Sequence, residues 1–130
     1  MGRKRRGKPI HGWMVIDKPG TMSSNAVVGM VRRLTGAAKV GHGGTLDPLA
    51  TGLLPLALGE ATKTVSYAMD GTKEYNFTIR WGEQRTTDDT EGDVIDTSDV
   101  RPDESAICMA LGSFIGMVKQ VPPIYSAIKV

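Results

Sequence analysis

This sequence predicts an α+β fold, a mostly antiparallel mixed sheet flanked by helices, and three observations carry that prediction. Short apolar runs such as GWMVID and LLPLALG read as buried strands. Tyr75, Phe77, Ile79 and Trp81 alternate strictly with Glu74, Asn76, Thr78 and Arg80, the period of a half-buried strand. Two other stretches carry apolar residues at helical spacing.

In chain order, GWMVID is a strand that enters a turn at KPG. SSNAVVGMVRRLTG then supplies a capping serine or asparagine, an apolar stripe of Val27, Val31 and Leu34, and Gly36 as the stop, so a helix is expected. A glycine-rich stretch separates it from LLPLALG, read as a buried strand or extended segment. EATKTVSYAMDG reads as a helix with Glu60 in its first turn and Gly71 at its end. The alternating strand from Tyr75 to Trp81 follows. The polar run GEQRTTDDTEGDVIDTSD leads to a second short strand around Val94 to Asp96, together a long hairpin with a solvated tip. Ile107, Leu111, Phe114 and Ile115 then place an amphipathic helix between Pro102 and Gly116, expected to cover the sheet. Cys108, beside that stripe, reads as a small buried hydrophobe.

At 130 residues the chain is expected to form one compact unit. With 40% hydrophobic and 23% charged residues and no apolar run of the ~18 residues that a membrane span needs, a globular, cytoplasmic protein with no membrane partner is the expectation. One cysteine excludes an internal disulfide, and two histidines, His11 and His42, leave no metal cluster to assemble. TTDDTEGDV faintly resembles a calcium loop but lacks its alternating ligands and closing glutamate. No metal is expected.

Charge is unevenly placed. Five Lys or Arg fall between Arg3 and Lys8, followed by Lys18, Arg32, Arg33 and Lys39, whereas acidic residues gather between Glu83 and Glu104. Residues 1–9 are read as a basic, flexible arm. Such an arm meets polyanions by counterion release, or simply keeps the chain soluble.

The segment GHGGTLDPLATG holds the candidate chemistry. Gly41, Gly43 and Gly44 open backbone conformations closed to other residues, and Pro48 biases Asp47 away from helix. A carboxylate held this way beside a histidine fits a nucleophile or general base. It fits a helix N-cap equally well.

GHGGTLDPLATGLLPLALGEATK closely resembles the catalytic-aspartate segment of the bacterial tRNA pseudouridine-55 synthases, the TruB family, whose eukaryotic and archaeal relatives are the dyskerin-type synthases. GWMVIDKPGTMSSN, KEYNFTIRWGEQRTTDDTEGDV and QVPPIYSAIKV agree with the same family in order and spacing. The resemblance implies isomerisation of the T-loop uridine of tRNA to pseudouridine, without cofactor or metal. It places the catalytic aspartate on Asp47, as nucleophile or as proton acceptor. It makes Tyr75 the aromatic that stacks on the flipped base and His42 the side chain that enters the RNA. Lys18, Pro19, Gly43, Gly44, Thr45 and Leu46 then support the catalytic loop, and Tyr125, Ser126 and Lys129 lie near the RNA-binding cleft. Arg32, Arg33, Lys39 and Lys129 are the expected phosphate contacts, and the T-arm stem-loop the expected partner of a monomer at full length.

The chain ends abruptly in what reads as a developing strand, so residues 10–130 are expected to be the N-terminal portion of the catalytic domain. The resemblance implies a further half that supplies an arginine partner for Asp47 and a second active-site tyrosine. A non-catalytic RNA-binding piece, or one piece of a split synthase, is the alternative.

Overall fold

The computed structural model describes residues 7–123 and divides after Glu74 into two compact units instead of the single one expected. In the first, strand β1 (Gly12–Lys18) leads into helix α1 (Ser24–Thr35), then strands β2 (Val40–His42) and β3 (Gly52–Leu58). A 3-10 helix (Gly59–Thr64) and a short helix α2 (Val65–Met69) follow. β3 is the central strand, antiparallel to β1 on one side and to β2 on the other.

Helix α1 matches its expected bounds because both ends are built into the sequence. The Ser23 side chain accepts from the Ala26 N–H, and Gly36, at φ 71°, adopts the left-handed conformation while its N–H closes onto the Arg32 carbonyl. Val27 and Val31 pack onto Leu54 and Leu56 of β3, and this is the core of the unit. Each such burial stabilises by about 1.5–3 kcal/mol. Leu34, expected on the same stripe, is 80% exposed.

The segment read as one helix from Glu60 is instead a 3-10 helix followed by a single α-helical stretch. The Thr62 and Thr64 hydroxyls donate to the carbonyls of Gly59 and Ala61, three residues back, and His11 Nδ1 accepts the Glu60 N–H at 3.0 Å. Local side-chain bonds of this kind favour the tighter winding. The start of the expected basic arm lies outside the described residues, but Lys8 is anchored. Its N–H donates to the Gly36 carbonyl at 2.7 Å, and its carbonyl accepts from Ala38 at 2.9 Å.

The second unit departs further from expectation. Its hairpin exists, but as β4 (Glu83–Arg85) paired with β5 (Val94–Thr97), and the Tyr75–Trp81 stretch joins no ladder among the described residues. Tyr75, Phe77, Ile79 and Trp81 are all exposed. Alternation specifies which face a strand would bury; it does not supply the neighbouring strand or the cover. The hairpin tip is closed by its own polar groups: Arg85 donates to the Gly92 carbonyl, and Asp89 accepts from the Thr87 hydroxyl and the Glu91 N–H. Those bonds to the charged form, the Thr87 hydroxyl first, hold the Asp89 carboxyl below its usual range.

Helix α3 (Glu104–Leu111), capped by Asp103, continues into a 3-10 turn at Gly112–Phe114. It buries none of its residues, so it does not cover a sheet as expected, and Cys108 is exposed instead of buried. A hairpin of three- and four-residue strands offers a helix little surface to cover.

The stability of the first unit should therefore rest on the α1–β3 packing. Leu56→Ala should lower its unfolding free energy by about 2–5 kcal/mol in a denaturant titration, whereas a loss below about 1 kcal/mol would contradict the packing described.

Candidate functional site

The connection from β2 to β3, residues 43–51, contains Asp47 and is held from both sides. Upstream, the Ser24 hydroxyl, on a residue only 3% exposed, donates to the Leu46 carbonyl and accepts the Leu46 N–H, both at 3.0 Å. Downstream, the Lys18 ammonium donates to the Pro48 carbonyl at 3.1 Å. Lys18 is 0% exposed, and its two other N–H groups reach the carbonyls of Pro19 at 2.9 Å and Met22 at 2.8 Å. All three donors of the ammonium are thus satisfied by backbone oxygens. One cation ties the β1–α1 turn to the residue that follows Asp47.

Between these two ties the chain turns. The Ala50 N–H donates to the Asp47 carbonyl at 3.0 Å, with Pro48 at the second position of the turn. No helix follows Pro48, so the N-cap reading of Asp47 does not apply. The Asp47 side chain is exposed, on a backbone fixed at Leu46, Asp47 and Pro48. Among the described residues no cation lies within ion-pairing distance of it.

Two glycines let the loop fit. Gly43 is buried, its N–H bonded to the Pro55 carbonyl at 2.7 Å, and a Cβ there would stand 3.1 Å from the Cβ of Ala68. Gly44 has open space around it, but its φ of +133° is one that other residues rarely adopt. Leu46 packs against the α1–β3 core, and Thr45 beside it is exposed. His42, the last residue of β2, pairs with Leu56; its Nδ1 is buried with no hydrogen-bond partner among the described residues.

Lys18, bonded to the Pro19 carbonyl, ties the loop at Pro48, and Gly43, Gly44, Thr45 and Leu46 precede Asp47 within the same loop. Arg32 and Arg33 are exposed in the last turn of α1, where they also complement the helix dipole, and Lys39 is exposed just before β2. Tyr75 opens the second unit, 59% exposed and without a strand partner among the described residues. Tyr125, Ser126 and Lys129 lie outside the described residues. Sequence reading missed Ser24. The doublet Ser23–Ser24 was the available signal, because a helix start uses one capping serine and leaves the other free.

If the Lys18 ammonium holds the loop, Lys18→Met should strand three carbonyls and cost about 2–4 kcal/mol of stability in chemical denaturation. A cost below about 0.5 kcal/mol would show that the loop holds its place without it.

Comparison with known proteins shows the family of the chain. A family model described as TruB family pseudouridylate synthase (N terminal domain) matches residues 32–130. Proteins named tRNA pseudouridine synthase B are similar along nearly the whole chain. The one from Rhodospirillum rubrum is 65% identical over 130 residues, which is 100% of this chain and 42% of the relative. Those from Gluconacetobacter diazotrophicus and Agrobacterium fabrum are 66% and 55% identical over 128 residues, 98% of this chain and 42% and 41% of the relatives. The chain spans about two-fifths of the length of the curated relatives it matches. The family model takes in α1 from Arg32 onward, both strands that flank the Asp47 loop and the loop itself, and on that match the chain belongs to the TruB family of pseudouridylate synthases.

Proposed function

We propose that this chain is the N-terminal portion, from residue 10, of the catalytic domain of a cytoplasmic tRNA pseudouridine synthase that acts on the T-loop uridine at position 55, with Asp47 as the essential carboxylate. One observation carries the reading: Asp47 presents an exposed side chain from a backbone tied at both neighbouring residues. A carboxylate that must meet a substrate atom has to be accessible, and its position must already be set before the substrate arrives. A turn that served only to connect β2 to β3 would need no buried cation beneath it.

In the proposed reaction the glycosidic bond between C1′ and N1 breaks and C1′ joins C5 of the same base. The proton leaves C5 for solvent, and N1 takes one up. Asp47 acts either as the nucleophile or as the group that removes a proton. The target uridine must leave the RNA stack to reach it, at a cost of a few kcal/mol. Tyr75 would offset part of that cost by stacking on the flipped base, and His42 would enter the RNA where the base departs. Arg32, Arg33, Lys39 and Lys129 would bind phosphates of the T-arm. No metal or cofactor enters this scheme, and the full-length protein would act as a monomer.

A second reading rests on the absence, among the described residues, of a cation beside Asp47. An arginine partner would orient the carboxylate and favour its charged form. Without one, the 130-residue chain would bind RNA but not turn over, as one part of a larger active site.

Tritium release from a T-arm stem-loop labelled at C5 of uridine separates these readings. The chain extended to the length of its relatives should release tritium, and Asp47→Asn should abolish release; an active Asp47→Asn protein would refute the assignment. Release by the 130-residue chain alone would remove the second reading. Phosphate binding is tested by salt. Replacing Arg32, Arg33 and Lys39 with alanine should reduce the slope of log affinity against log salt by about one unit for each phosphate no longer neutralised, and an unchanged slope would dismiss them as phosphate ligands.

A further inference from the structure

We infer that Ser24 is a positioning residue for Asp47, setting the peptide that precedes the reacting carboxylate; the inference rests on the reading of Asp47 given above. Ser23 and Ser24 are adjacent but do different work. Ser23 caps α1 through the Ala26 N–H. Ser24, the first residue of the helix, turns its hydroxyl away from its own helix, onto a residue 22 positions later.

A hydroxyl has one donor and two acceptor lone pairs. Here the donor and one lone pair are used on the same residue, the carbonyl and the N–H of Leu46. The Leu46 carbonyl belongs to the peptide plane shared with Asp47. Fixing that oxygen fixes one of the two planes from which the Asp47 Cα–Cβ bond projects. The other plane, toward Pro48, is fixed by the Ala50 N–H on the Asp47 carbonyl. Ser24 is buried, so water competes poorly for either bond, and it sits on an element rooted in the core through Val27 and Val31. A helix is a better reference for a catalytic group than a loop.

Truncating the hydroxyl should leave substrate binding alone and misplace the carboxylate. For the chain extended to the length of its relatives, Ser24→Ala should lower kcat for tritium release on the order of 10²-fold, with KM within about threefold. Ser24→Thr, which keeps the hydroxyl, should restore most of the rate. Hydrogen exchange supplies a readout independent of turnover: the Leu46 amide should lose protection in Ser24→Ala, while the amides of α1 near Val31 keep theirs. Ser23→Ala, which loses a helix cap only, should lower the melting temperature and leave kcat within about twofold. Should Ser24→Ala fail to fold, Ser24→Cys, close in size and a weak hydrogen-bonder, serves for the same comparison. Equal kcat for Ser24→Ala (or for Ser24→Cys in its place) and Ser23→Ala, or an unchanged Leu46 amide, would overturn the inference. Turnover that survives Asp47→Asn would instead remove the reading beneath it, while Leu46 exchange would still report whether the clamp exists.

Discussion

The first unit depends on one arrangement, an ammonium group with no exposed surface, bound by three backbone carbonyls. Burying a cation without a carboxylate is costly unless each of its protons finds an acceptor. Lys18 meets that condition by drawing Pro19, Met22 and Pro48 to a single point. The turn after β1 and the turn after Asp47, thirty residues apart, are thereby obliged to lie together. If either turn moves, the cation loses an acceptor that water cannot easily replace, so the two segments keep their places jointly.

The rest of the unit can be read as what this constraint requires. β3 lies between β1 and β2, which brings the end of β1, where Lys18 sits, opposite Gly52, the residue at which the loop rejoins the sheet. Leu54 and Leu56 seat α1 on that sheet, and α1 in turn carries Ser24 to the other side of the loop. Asp47 is thus referred to β1 through Lys18 and to α1 through Ser24. Its side chain is exposed and bonded to none of the described residues, a division of labour suited to a group whose partner is another molecule.

The second unit is organised on different terms. Its hairpin tip is closed by hydrogen bonds of Arg85, Thr87 and Asp89, but its large apolar side chains from Tyr75 through α3, apart from the half-buried Ile107, remain exposed. The polar network is local in sequence and forms from residues a few positions apart. Burial of the aromatic stretch requires a partner surface, which the short strands β4 and β5 do not provide.

Where a helix cap, a helix stop or an apolar run governs, the sequence alone was sufficient. The cap at Ser23, the stop at Gly36 and the apolar run of β3 each follow from neighbours within four residues, and the glycine-rich segment with its aspartate pointed to the family without any knowledge of tertiary neighbours. Pairings between distant residues were decided only by the tertiary structure. Leu34 lies on the helical stripe yet faces outward, and Tyr75 to Trp81 alternate as a strand yet pair with nothing described, because periodicity marks a face without naming what covers it. The role of Ser24 was hidden for the same reason, since a second serine at a helix start has an ordinary local explanation, and the family resemblance that set Lys18 beside the loop did not say which carbonyls it would bind. Their function appears only when folding places them on either side of one peptide turn, where a buried hydrogen-bonding group must be satisfied by whatever chain lies beside it.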